Sequence, residues 1–289
     1  MDKLRILTAG GDLRQIYCAD KLAGQYKSDL LGFDSDFLPY KHLFGSPDAN
    51  LAEIYDALVL PVTPLNSDGS INTPCSRNPL RIEEIIPMLK KDAVIFTGRA
   101  DSRLNDYFPG SDIADYMSRE ELALNNAIPT AEGAVKLALE NLPVTLSGLP
   151  VLIVGLGRIG TALAEILRGF GSDVTAAVRN ASGAARARIL GVRSVCTEDI
   201  DGSFGLVFNT VPSLIFDEKK LALFPWDTLF IDLASRPGGF DMNAASIQGK
   251  KVLWALGIPG KSAPVTAGKY VGEAIINILM ERGVRNARA

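Results

Sequence analysis

Val151-Leu-Ile-Val-Gly-Leu-Gly-Arg-Ile-Gly160 decides how the second half of this chain folds. Four apolar residues, enough for a short buried strand, run directly into three glycines spaced G-x-G-x-x-G. From the last of them, Ile159, Ala162, Leu163, Ile166, Leu167 and Phe170 recur at helical spacing. A strand, a glycine turn and a helix in this order separate a phosphate-binding turn from a chance run of glycines. Gly155 permits the tight turn, Gly157 lets a pyrophosphate approach the backbone, and Gly160 lets the helix lie close to the sheet. The helix start at Arg158 and Ile159 offers unpaired N–H groups to the phosphates. A dinucleotide-binding domain is predicted.

Working outward, residues 173–178 read as a second strand and 181–190 as a second helix. Residues 206–210, 228–233 and 251–256 read as later strands, and 265–281 as a final helix. Upstream, residues 5–9, 29–32, 57–61 and 93–98 are short apolar runs, with 112–117 a weaker fifth; 13–24 and 82–90 read as helices. Ser118-Arg-Glu-Glu121 has capping-box spacing and predicts a helix start. Pro129 predicts the first residue of a separate helix, which reaches Leu142, is stopped by Pro143 and bridges two domains. Alternating strands and helices make a parallel sheet covered on both faces. The 289 residues suit two domains. The expected fold is α/β, two Rossmann-like doubly wound parallel sheets with a cleft between them. A substrate-binding domain spans residues 1–125, a nucleotide-binding domain spans 126–264, and a C-terminal helix at about 265–289 packs back on the first.

The end of the second nucleotide-domain strand selects the cofactor. A carboxylate there would bind the ribose 2′-OH of NAD. The chain instead has Ala177-Val-Arg-Asn-Ala-Ser182, where Arg179 offers a planar, charged fork to a 2′-phosphate, with Arg186 and Arg188 further along the next helix. NADP is therefore expected, with NAD the alternative. Asn209-Thr-Val-Pro212, covering Thr210 and Val211, ends a later strand, and Leu233 and Ala234 follow the next. Ligands bind outside the carboxyl ends of parallel strands, so these residues complete the expected cofactor cleft. As ordinary loops they would carry the same residue types for turn geometry alone.

In the first domain, strand ends place Asp12, Arg14, Thr63 and Arg99 as substrate contacts. Two arginines suit a carboxylated substrate, because each can form a bidentate pair. The alternative for each is a solvated surface charge. The one histidine, His42, lies away from any expected strand end and reads as structural or exposed. Reversible alcohol oxidation usually uses a His base, so its absence from the second half argues against hydroxy-acid dehydrogenase chemistry of that type.

The net charge of −3 and the lack of a basic run argue against nucleic-acid binding. Cys18, Cys75 and Cys196 are scattered, with neither a disulfide framework nor metal-ligand spacing, so no metal is expected. No apolar stretch approaches the roughly 18 residues of a membrane span. The opening residues lack a signal-peptide apolar region. A cytoplasmic enzyme is expected, and a homo-oligomer is left open.

Asn126-Ala-Ile-Pro-Thr-Ala-Glu-Gly133, Asp232-Leu-Ala-Ser-Arg-Pro-Gly-Gly239 and Pro259-Gly-Lys-Ser-Ala-Pro-Val-Thr-Ala-Gly268 together resemble the dipicolinate synthase A-subunit family of spore-forming bacteria. That resemblance implies a two-domain oxidoreductase on a branch of the lysine pathway. Its substrate would be a dihydrodipicolinate-type dicarboxylate, or the 4-hydroxy-tetrahydro precursor, oxidised to pyridine-2,6-dicarboxylate. It also implies a partner, the flavoprotein-like B subunit. Thr130, Glu132 and Lys261 lie in these segments and are the expected catalytic group, with capping or surface roles as the alternatives. Aromatisation lowers the need for a strong base. Two rivals remain: a dehydrogenase of another carboxylated substrate, and a non-catalytic NADP-sensing protein.

Overall fold

The computed structural model describes residues 3–38, 54–99 and 101–283; His42 lies outside them. The first half runs β1 (Arg5–Ala9), α1 (Leu13–Ala23), β2 (Lys27–Leu31), β3 (Tyr55–Val59), α2 (Ile82–Ile85), β4 (Leu89–Thr97), α3 (Leu104–Tyr107), β5 (Ile113–Asp115) and the long helix α4 (Glu120–Asn141). Then follow β6 (Pro150–Val154), α5 (Arg158–Gly169), β7 (Asp173–Val178), α6 (Ala181–Ile189), β8 (Arg193–Cys196) and β9 (Leu206–Asn209). The chain closes with α7 (Glu218–Ala222), β10 (Leu229–Asp232), α8 (Met242–Ile247), β11 (Lys251–Trp254), α9 (Ile258–Ser262) and α10 (Pro264–Glu281). Two compact units result, Met1–Asn126 with Ala263–Ala289, and Ala127–Ser262.

The first unit holds a five-stranded sheet in the order β2-β1-β3-β4-β5, with every neighbouring pair parallel. Its strands are buried on both faces. Ile6, Ala57 and Val59 pack with Cys18 and Leu22 of α1 and Val271, Ala274 and Ile275 of α10. Leu7, Leu58 and Leu60 point the other way, toward Ile82 and Ile85 of α2. Alternate residues facing opposite layers is the period-2 rule of a strand. Helix α10 lies close along α1, where a Cβ on Gly268 would collide with the Arg14 carbonyl.

The second unit holds a six-stranded sheet in the order β8-β7-β6-β9-β10-β11, again all parallel. Numbered within this sheet, that is 3-2-1-4-5-6, the doubly wound dinucleotide order, whose direction reverses between β6 and β9. Val151 and Ile153 pack against Leu163 and Leu167 of α5, while Leu152 and Val154 face Phe216, Phe230 and Phe240.

Two helix expectations need correction. Pro129 does not begin a helix: it lies inside α4, which starts at Glu120, so the expected break at residue 129 is absent. An interior proline costs a hydrogen bond, commonly about 3 kcal/mol. Burial of Leu122, Ala127, Ala131, Ala134 and Ala138 along the helix outweighs it. The helix expected over residues 82–90 stops at Ile85, because Pro87 cannot extend the hydrogen-bond ladder; a 3₁₀ turn follows and β4 begins at Leu89. Strand β8 went unforeseen: it is a mostly exposed edge strand without an apolar run.

Candidate functional site

A cleft of about 400 Å³ opens at the C-terminal ends of β6, β7 and β9, where the strand order reverses. Gly155, Gly157, Val178, Arg179, Asn180, Arg186, Thr210, Val211 and Pro212 are among its lining residues. The three glycines of the motif differ physically. Gly155 has φ +88°, and a Cβ there would lie 2.7 Å from both Thr210 Oγ1 and Val211 Cγ2. A Cβ on Gly160 would strike the Gly155 carbonyl, so this glycine is demanded by the close approach of α5 to the turn. Gly157 has φ −77°, open to any residue, and a Cβ there would meet nothing within 4 Å among the described residues beyond its own chain neighbours. Nothing in the protein itself requires a glycine at Gly157; the space beside it suits a ligand that approaches the backbone.

The cleft walls are tied down by polar contacts. Thr210 Oγ1 donates to the Val154 carbonyl at 2.9 Å. Asn180 caps α6, accepting from Gly183 N at 2.9 Å. Arg186 donates to the Leu156 carbonyl at 2.5 Å, which fixes it in the wall; Arg188 is not among the lining residues. Arg158 and Arg179 are exposed, and Ile159 is half-buried. Asn180 and Thr197 were missed by sequence reasoning, although an Asn directly before a helix is itself a cap signal.

Asn209, Leu233 and Ala234 are buried beside the cleft strands, around a residue that sequence reasoning did not single out. The Asp232 carboxylate, 1 % exposed, accepts from Asn209 Nδ2 (2.8 Å), Ala234 N (3.1 Å) and Gly239 N (2.8 Å). It anchors the loop after β10. Trp254 Nε1 donates to the Ala234 carbonyl at 3.0 Å, and the exposed Arg236 guanidinium stacks over the Trp254 ring at 5.5 Å.

In the first unit, a pocket of about 60 Å³ lies at the C-terminal ends of β1 and β3 and includes Asp12, Arg14, Gln15, Thr63 and Asn72. Asp12 and Arg14, two of the expected substrate contacts, both line it and are paired with each other. Arg14 Nε and Nη2 donate to Asp12 at 2.9 and 2.7 Å, so the planar fork already holds a carboxylate. Burial pushes the Asp12 carboxyl up, but the Arg14 hydrogen bonds and charge outweigh it and hold it below the usual carboxylate range. Such a group stabilises the fold above its unfolded pKa, and the contribution is lost as pH falls through the depressed folded value. Arg14→Ala removes the guanidinium and leaves only the residue-14 backbone N–H to oppose burial. The acid-unfolding midpoint is therefore expected to move to higher pH, read by circular dichroism along an acid titration; an unmoved midpoint would show that the pair contributes nothing.

Arg99 is exposed and is not among the residues lining that pocket. Thr130 is buried within α4, so the capping alternative for it is excluded, and Glu132 is on an exposed position of the same helix rather than in a first turn. Lys261 is exposed on α9. Helices α4 and α9 meet at Gly133, where a Cβ would collide with Ile258 and Ser262.

Comparison with known proteins adds the following. Residues 5–116 match the family model of the dipicolinate synthase A-subunit N-terminal domain. Residues 124–242 match the D-isomer specific 2-hydroxyacid dehydrogenase, NAD binding domain. That segment contains no histidine. The chain is 32% identical over 297 residues to the dipicolinate synthase A-subunit of Bacillus subtilis (strain 168), covering 96% of each chain. Among solved structures it is similar to the dipicolinate synthase A-subunit from Bacillus halodurans (29% identity, TM-score 0.86, 96% of this chain and 98% of that one). It is likewise similar to the dipicolinate synthase A-subunit structure from Bacillus subtilis (29% identity, TM-score 0.85, 98% of each chain).

Proposed function

The chain belongs to the dipicolinate synthase A-subunit family, and on that premise we propose that it is an NADP-dependent dehydrogenase. It oxidises a dihydrodipicolinate-type ring, or its 4-hydroxy-tetrahydro precursor, to pyridine-2,6-dicarboxylate. The nicotinamide, when bound, would take a hydride; the ring also gives up one proton, and the 4-hydroxy-tetrahydro form one water besides. The product is aromatic, and that driving force fits a cofactor domain without histidine.

The observation that carries the reading is the open space at Gly157, at the start of the amphipathic helix α5 and at the switch point of the sheet. Gly155, Gly157 and Gly160 shape the turn, and the N–H groups at Arg158 and Ile159 receive the pyrophosphate. Thr210, Val211 and Pro212 flank it, and Asn209 with Leu233 and Ala234 holds the neighbouring strand ends in place. Arg179 meets the 2′-phosphate. The exposed cation Arg99, just after β4, is assigned to a substrate carboxylate. Thr130, Glu132 and Lys261 of the family-like segments are the proposed catalytic group; the exposed Glu132 carboxylate is the acceptor available for the ring proton, and the Lys261 ammonium brings donors only. A flavoprotein-like B subunit is the proposed partner. Among the described residues no helix is long and apolar enough to cross a membrane.

The test is turnover of freshly prepared dihydrodipicolinate with NADP and with NAD, with and without the B subunit, followed by reduced-nicotinamide and pyridine absorbance. Reduced cofactor formed without a pyridine product would assign the chain to a different substrate. Cofactor choice has its own test. Arg179→Asp is expected to shift preference from NADP toward NAD by at least about tenfold, since a charged contact is worth about 1.5–3 kcal/mol. An unchanged ratio of kcat/KM for the two cofactors would show that Arg179 does not read the 2′-phosphate.

A further inference from the structure

The first-unit pocket contains an acceptor that no donor among the described residues reaches. Gln15, 2 % exposed, lines it. Its Nε2 donates to the Leu60 carbonyl at 2.8 Å and to Tyr116 Oη at 3.3 Å. Tyr116 Oη spends its own hydrogen on the same carbonyl, at 3.0 Å. Both amide hydrogens are thereby committed, and flipping the amide would set its oxygen against Leu60 O. The orientation is fixed with Oε1 as the remaining acceptor, buried and without a partner among the described residues. Its charged neighbours do not serve it: Asp12 is itself an acceptor, and Arg14 donates from Nε and Nη2 to Asp12. A buried acceptor left unmade is costly, and such groups are normally satisfied by a donor.

We infer that this pocket is a substrate subsite that reads a ring hydroxyl, the hydroxyl donating to Gln15 Oε1. This rests on the dipicolinate-type ring proposed above and goes further by choosing between its two forms in favour of the hydroxylated one. A substrate carboxylate brings only acceptors and cannot satisfy Oε1; a hydroxyl brings a donor. The volume, about 60 Å³, takes one small group rather than the whole ring. Asn72 and Thr63 border the same space and offer a donor to the hydroxyl oxygen. A site built to hydrogen-bond a hydroxyl rejects the analogue that lacks it far more strongly than an apolar pocket rejects a size change.

The experiment uses the full chain saturated with NADP and two stable saturated rings, piperidine-2,6-dicarboxylate and its 4-hydroxy derivative, with Kd measured calorimetrically. The wild type is expected to bind the hydroxylated ring at least about tenfold tighter. Gln15→Met, similar in length but without the acceptor, is expected to bind the two rings equally, with NADP affinity unchanged. Asn72→Ala leaves Gln15 in place, removes the donor to the hydroxyl oxygen and is expected to weaken the preference, which covers the case in which Gln15→Met does not fold. A wild type without preference, or a preference that survives in folded Gln15→Met, overturns the hydroxyl subsite while leaving the ring assignment standing. A wild type that binds NADP but neither ring overturns both.

Discussion

Gly157→Val is expected to weaken dinucleotide binding at least about a hundredfold, equivalent to about 2.7 kcal/mol, while the fold survives. The backbone at Gly157, φ −77° and ψ −160°, is ordinary extended geometry, and among the described residues nothing beyond its chain neighbours stands within 4 Å of an added Cβ. Valine is a poorer helix N-cap than glycine, at a cost of up to about 1 kcal/mol, so the thermal midpoint should fall by only a few degrees. The whole remaining effect must then come from a ligand that occupies the space. Gly160→Val gives the contrast. There a Cβ strikes the Gly155 carbonyl, so the variant should lose stability before affinity is measured. Calorimetric titration beside a thermal melt separates the two. An unchanged Kd for both NADP and NAD in Gly157→Val would remove the dinucleotide from this turn.

The second large effect is structural. Asp232→Ala is expected to cost about 3–5 kcal/mol, because it strands three buried donors, on Asn209, Ala234 and Gly239, each worth about 1–3 kcal/mol when left unpaired. Asp232→Asn has nearly the same shape but replaces one acceptor oxygen with a donor, which then faces another donor. It is expected to lose about 1–3 kcal/mol. Urea unfolding measures both. Wild-type stability in Asp232→Asn would show that the amide finds acceptors elsewhere and that the loop after β10 is held by other means.

Much of the site was legible because its signals are local. Turn chemistry and helical periodicity act over a few residues, so the glycine turn, the strand at Asp173–Val178 and the first turns of α5 and α6 follow from neighbours in the chain. Arg14 shows what a local reading leaves out. It follows a strand as a substrate cation would, yet its fork is closed on Asp12 two residues away. Residue type placed it at the right strand end; only side-chain geometry showed that its charge was already matched.

The sequence by itself determined two βαβ arrays, the phosphate-binding turn at Gly155–Gly160 and the absence of a histidine from the cofactor domain, since these depend on period, turn residues and composition. The tertiary structure decided the rest. It carried α4 through Pro129, because burial along the helix outweighs one lost backbone bond. It oriented Gln15 through Tyr116, 101 residues away, leaving one acceptor to be filled. It made Asp232 a hub for Asn209, 23 residues away. Hydrogen-bond satisfaction in a buried site depends on which groups meet in space, and no window along the chain contains that information.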